Sequence, residues 1–254
     1  AVSEMCKGWT REDAKKALSG VLEYSGDDAR YILPILKHLH VHCGLTADDV
    51  RVRSNAALHL SAQLGRLDVV RYLREGFGLT AEDARADNNF ALREAVKNGH
   101  LEVVKYLHEG FGLTAEDARD MRNEALVCSV RNVPIMRYLR ECFGLTSEDA
   151  RMSATLLAAA MYDKVEALRY LKEAFGLTAV DVKKNIALES AAKYGHLEAL
   201  KYLIEGFGLT AEDVRESNVR QGDCSDEIQQ YLKVVVLKDP ATCLLDGLKR
   251  HLGQ

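Results

Sequence analysis

Apolar and polar positions alternate along this chain with two nested periods. Within short segments, apolar residues fall three and four apart, as in Ala91, Leu92, Ala95 and Val96 and again in Leu101, Val104 and Leu107, which predicts short amphipathic helices. Over longer distances the whole pattern returns. Gly-Leu-Thr followed by acidic residues begins at Gly44, Gly78, Gly112, Gly144, Gly176 and Gly208, and a degenerate copy begins at Gly8, so the spacings are 36, 34, 34, 32, 32 and 32 residues. Repetition at 32–36 residues is the mark of a stack of small helical units, none of which can bury its apolar stripe alone.

One copy, residues 78–111, shows how a unit is punctuated. Thr80 ahead of Ala-Glu-Asp predicts a helix N-cap with Asp83 at the third helical position, and a threonine opens every copy. A first helix with a small-residue stripe follows and is expected to end at Gly99 through a left-handed turn. The second helix leads to Gly110-Phe111-Gly112, with the phenylalanine expected to plug the gap between neighbouring units. Copies from 144 onwards are two residues shorter in the connecting segment. Copy 112–143 lacks the Gly-His turn and carries Pro134 instead, at a place that suits the first turn of a helix.

These features predict an all-α fold built as a helical repeat solenoid of about seven units. The expected organisation is a capping repeat at 1–43, five repeats (44–77, 78–111, 112–143, 144–175, 176–207), and a capping repeat with a terminal helix at 208–254. The ends are expected to differ from the middle, because terminal units must present a polar outer face. The segment CLLDGLKRHLG after Asp239-Pro240 reads as a final amphipathic helix, either a cap or a docking peptide.

The strings Ala91-Leu92-x-x-Ala95 and Gly99-His100-Leu101-Glu102-Val103-Val104-Lys105-Tyr106-Leu107, repeated as Ala187-Leu188, Ala191, Gly195-His196-Leu197-Glu198 and Tyr202-Leu203, resemble ankyrin repeats. Asn-x-Ala-Leu stands where that family has Thr-Pro-Leu-His, and Phe-Gly-Leu-Thr-Ala-Glu-Asp where it has a Gly-Ala-Asp turn. A short capped helix is therefore expected in place of the family's β-hairpin finger. The FGLTAEDAR variant is similar to repeat proteins encoded by large DNA viruses of amoebae and algae. The resemblance implies protein–protein binding without catalysis.

Composition narrows the picture only a little. Charged residues make up 28% and apolar ones 47%, and the formal net charge is −4, so bulk charge gives no reason to expect nucleic acid or a membrane surface as a partner. The longest aliphatic run, Val234–Leu237, is far too short to cross a bilayer, and AVSEMCKGWTRED has no signal-peptide core. The six cysteines, Cys6, Cys43, Cys128, Cys142, Cys224 and Cys243, form no CxxC motif and read as reduced thiols, which fits a cytoplasmic setting. No phosphate loop, GxSxG or HExxH occurs. No enzyme activity, cofactor or metal is expected, and a monomer is.

Several columns of chemistry-bearing residues remain. The Asp column (Asp13, Asp49, Asp83, Asp117, Asp149, Asp181, Asp213) is read as helix-start charge or a link to the next unit rather than an ion site. The basic column Arg71, Lys105, Arg137, Arg169 and Lys201 is expected to pair with Glu75, Glu109, Glu141, Glu173 and Glu205 four residues later. In KHLHVHC, His38 and His42 have the spacing of two ligands on one helix face, with a packing role for His38 as the competing reading. Binding residues are expected where exposed positions vary between copies, on the first helices and connecting segments of the concave side: Arg53, His59, Gln63, Asp87, Arg93, Lys97, Arg122, Val127, Arg131, Tyr162, Lys184, Glu189 and Lys193. A partner protein is the expected occupant. Self-assembly of the stack and nucleic-acid binding are the competing functions.

Overall fold

The computed structural model describes residues 8–23, 31–217, 219 and 224–237. Cys6, Asp27, Asp28, Cys243 and the expected helix after Pro240 lie outside these residues. The chain divides into two compact bodies, Ala1–Leu145 and Thr146–Gln254. Among the described residues every regular element is helical.

In the first body, helices Arg11–Glu23 and Ile32–Cys43 form the opening repeat. The next comprises a connector helix Ala47–Val50, a first helix within Val52–Gln63 and a second helix Leu67–Glu75. In the following two, connector and first helix run together as Ala81–Lys97 and Ala115–Cys128, with second helices Leu101–Glu109 and Val133–Glu141. First helices pack on first helices and second on second, so each repeat is one layer of a helical repeat solenoid. The second body repeats this plan with Ser147–Met152, Thr155–Met161 and Val165–Glu173, then Ala179–Lys183, Ala187–Lys193 and Leu197–Lys201. It ends on Ala211–Glu216 and Asp226–Leu237, which pack on each other.

Small residues set the spacing between layers. Ala57, Ala91, Ala125 and Ala187 are buried in the first-helix row, and Thr155 takes the same place in its copy with no exposure at all. Leu58, Leu92, Leu126, Leu156 and Leu188 lie beside them in the core, and Leu73, Leu107, Leu139, Leu171 and Leu203 fill the second-helix row. Of the candidate inward residues on Leu101–Glu109, Val103, Val104 and Leu107 are buried and Tyr106 is half-buried. Pro134 sits in the first turn of its helix, capped by Asn132, whose side chain accepts from the Ile135 amide at 3.2 Å.

The connectors are short helices, each closed by its threonine and aspartate, as at Ala47–Val50 and Ser147–Met152. In copies 44–77, 78–111 and 112–143 the connector meets the first helix through three successive left-handed residues: Arg53-Ser54-Asn55, Asp87-Asn88-Asn89 and Met121-Arg122-Asn123, with φ between 50 and 64°. The two-residue deletion noted from position 144 onwards coincides with the loss of this turn, for Ser153 and Ala154 have φ of −100 and −81°. In each left-handed turn the first two side chains are exposed and the third, always Asn, is buried.

Left-handed geometry costs a residue with a Cβ roughly 1–2 kcal/mol. Met121 is half exposed, so its side chain has little packing to lose. Met121→Gly is therefore expected to stabilise the chain by roughly 0.5–1 kcal/mol, the relief of that cost less the greater freedom of glycine in the unfolded chain. Urea unfolding midpoints test this, and an unchanged or lower midpoint would count against a strained turn.

Candidate functional site

Residues that recur in every copy are occupied in holding copies together. In each connector the threonine amide donates to the aspartate three residues on: Thr46 to Asp49 at 2.7 Å, Thr80 to Asp83 at 2.8 Å, Thr114 to Asp117 at 2.7 Å, Thr146 to Asp149 at 2.7 Å and Thr178 to Asp181 at 2.8 Å. The same carboxylate receives a cation from the preceding repeat. Arg11 Nε reaches Asp49 at 2.9 Å, Arg51 Nε reaches Asp83 at 2.9 Å and Arg85 Nε reaches Asp117 at 2.8 Å. In the second body Arg151 Nε reaches Asp181 at 3.1 Å and Lys183 Nζ reaches Asp213 at 2.7 Å. The two readings of the Asp column, helix-start charge and inter-repeat link, are thus both true of the same carboxylate.

Their protonation follows from these bonds. Burial by itself would raise the Asp83 and Asp117 carboxyls, but the preceding arginine and the threonine amide and hydroxyl outweigh it and hold both below the ordinary carboxylate value. At Asp213 the Lys183 ammonium is the largest influence, followed by the Thr210 amide, and the pKa falls to about 2.

The second-helix face differs from expectation. Lys105 and Lys201 pair with Glu102 and Glu198 three residues before them, both at 2.8 Å, and not with the glutamate four residues after. Glu75 and Glu109 instead accept the hydroxyls of Tyr106 and Tyr138 from the following repeat, at 2.9 and 3.0 Å, and Glu205 accepts that of Tyr231 at 2.9 Å. The tyrosine column supplies these glutamates with a donor from the following repeat. Arg71 lies 5.3 Å from the Tyr106 ring centroid, a cation–π contact across the same gap.

Phenylalanine does plug the layers. Phe77, Phe111, Phe143 and Phe175 are buried, and each meets the tyrosine of its own repeat edge-on at 5.7–6.0 Å. His40 stacks on Phe77 at 4.0 Å and bonds the Tyr72 hydroxyl at 2.9 Å, so the packing role expected of His38 belongs to His40. The His38 and His42 rings do meet, 4.5 Å apart. Among the described residues no three His, Cys, Asp or Glu side chains gather into a set able to hold a metal. The turn histidines are also structural: His100 Nε2 donates to the Gln63 carbonyl at 2.9 Å and His196 Nε2 to that of Met161 at 2.8 Å. A Cβ on Gly65 would lie 2.4 Å from His100 Nδ1, and Gly65 has φ 69°, so glycine is required twice over.

The variable positions separate into three groups. Arg53, Gln63, Asp87, Lys97, Arg122 and Arg131 are exposed in the first body, and Tyr162, Lys184 and Lys193 in the second. Val127 and Glu189 are half-buried. His59 corrects the expectation of exposure, being only 7% exposed. Phe90 of the next repeat covers it, with ring centroids 4.9 Å apart, and its Nδ1 is 4.0 Å from Asp87. Burial pushes its pKa below the ordinary histidine value despite the Asp87 carboxylate. Arg93 is also mostly covered. Its guanidinium donates to the Asn88 and Asp87 carbonyls at 3.0 and 3.2 Å and pairs with Glu124 of the next repeat, so it braces the left-handed turn and presents little of itself to a partner. No residue pattern at one site signalled this, because it depends on which neighbour the side chain meets.

Within each body, layers of paired helices joined by repeated polar links define a helical repeat protein. Residues 29–117 match the family model for ankyrin repeats in three copies. No curated protein matches the chain. No helix among the described residues is long and apolar enough to cross a membrane.

The ladder of depressed carboxylates makes stability acid-sensitive. Each such group stabilises the fold fully above its unfolded pKa, near 4, and loses that contribution as pH falls through the lower folded value. Stability is expected to be level above about pH 5 and to fall between about pH 4 and pH 2. Asp117→Asn, which removes the charge shared by Arg85 and Thr114, is expected to cost about 1–2 kcal/mol at neutral pH and to flatten the acid limb. Denaturant titrations at stepped pH provide the check, and an acid limb of unchanged slope would refute the assignment to this ladder.

Proposed function

We propose that the chain is a non-catalytic scaffold that holds a partner protein on the face made by its first helices and connecting turns. One observation carries this reading. Repeated polar residues are spent on links between layers, whereas the positions that change from copy to copy leave Arg53, Gln63, Lys97, Arg122, Lys184 and Lys193 exposed. Arginine on a rigid support is a side chain that interfaces favour, since it offers large contact area and directional donors. The left-handed turns add rigidity where contacts would be made, because Arg93 ties the carbonyls of Asp87 and Asn88 to the next layer. The general role of ankyrin repeats in protein–protein interaction supports the same reading. The likeness of the FGLTAEDAR units to virus-encoded repeat proteins supports a host protein as the partner.

Affinity capture from cell lysate tests the face. Arg53→Ala, Gln63→Ala and Arg122→Ala together are expected to reduce the captured protein at least tenfold with thermal unfolding unchanged. Glu102→Ala with Glu166→Ala, on the second helices, is expected to leave capture intact. Capture that survives the triple change, or that is lost only in the second-helix variant, would move the binding surface elsewhere.

A further inference from the structure

The copy that ends at Cys43 departs from the others at two positions four residues apart. The later copies carry a tyrosine at Tyr72, Tyr106, Tyr138, Tyr170 and Tyr202, and a small residue four places on, at Gly76, Gly110, Cys142, Ala174 and Gly206. The tyrosine ring folds back over that small residue. A Cβ on Gly76 would meet the Tyr72 ring at 2.7 Å, and one on Gly206 the Tyr202 ring at 2.9 Å. In the helix Ile32–Cys43 both positions are histidine, His38 and His42. An imidazole has no room beneath a tyrosine held in that way, so the two departures belong together.

The pair is also placed as one unit. The ring centroids of His38 and His42 are 4.5 Å apart and their planes are inclined by 37°. Two imidazoles that share one ion, each through a nitrogen about 2.0–2.1 Å from it, have ring centres about 4.5–5 Å apart. Side chains four apart stand on the same helix face, the spacing at which paired histidines take zinc. His42 is exposed and His38 half-buried. Neighbouring groups on this helix are engaged elsewhere. His40 is stacked on Phe77 and bonded to Tyr72, and the Lys37 ammonium lies 5.4 Å from the Tyr72 ring centroid. Cys43 is buried in the core.

We propose that His38 and His42 together hold a divalent transition-metal ion of the zinc type. Imidazole nitrogen suits zinc, nickel and copper, whereas magnesium and calcium take oxygen ligands. Among the described residues no third His, Cys, Asp or Glu joins the pair. Water therefore completes the coordination, and the ion exchanges more readily than one in a closed four-ligand site. Bridging these two side chains fixes the last turn of the helix, immediately before Gly44, whose φ of 71° turns the chain towards the connector that Thr46 and Asp49 close. The pair lies on a second helix and not on the first-helix face assigned to the partner, so the two readings stand separately.

The probe is zinc chloride, titrated into the full-length chain labelled with nitrogen-15 at histidine while the imidazole nitrogens are followed. His38 and His42 are expected to shift together with one shared midpoint below millimolar zinc, and magnesium chloride at the same concentration is expected to move neither. His38→Ala is expected to raise the midpoint at His42 at least tenfold. His42→Gly, which introduces the residue that three later copies carry, is expected to do the same at His38 with the dispersion of the backbone amides retained. Separate midpoints at the two histidines, no saturable shift at either, an equal response to magnesium, or an unchanged midpoint in either variant would each overturn the assignment.

Discussion

One carboxylate per repeat serves two repeats at once. Asp83 closes the first turn of its own connector through Thr80 and accepts the guanidinium of Arg51 from the layer before, and the same arrangement recurs at Asp117 and Asp181. The sharing matters because a repeat of short helices has too little interior to fold alone, so each local element must be completed by its neighbour. A helix start that is satisfied only when the previous layer is in place couples local folding to stacking. The leucine rows then supply most of the free energy, while the carboxylate ladder fixes the register at which they meet.

The outer gap between layers follows the same rule with different groups. A glutamate from one repeat meets a tyrosine hydroxyl from the next, a histidine or arginine lies over the following phenylalanine, and a turn histidine donates to the carbonyl of the helix before. Each of these is modest alone, and several are partly solvated. They are effective because they repeat, and a displaced layer would break every one of them together.

Outside these links, exposed side chains change from copy to copy. Arg53, Gln63, Arg122 and Lys184 are exposed at positions that differ between copies.

Periodicity in the amino-acid order was enough to determine the helical class, the layer length, the threonine caps, the glycine turns and Pro134 at a helix start, since each depends on neighbours within a few residues. It also narrowed the Asp column to two roles. The arginine partner of that column was not read from the order of residues, because it lies a full repeat away and binds through space. The same holds for Glu75 with Tyr106, for His40 in place of His38, for the covering of His59 by Phe90 and for Arg93 bracing a turn. Local rules decide which element forms. Only the stacking of one layer on the next decides which side chains are left for a partner, because exposure and pairing are properties of the neighbour as much as of the residue.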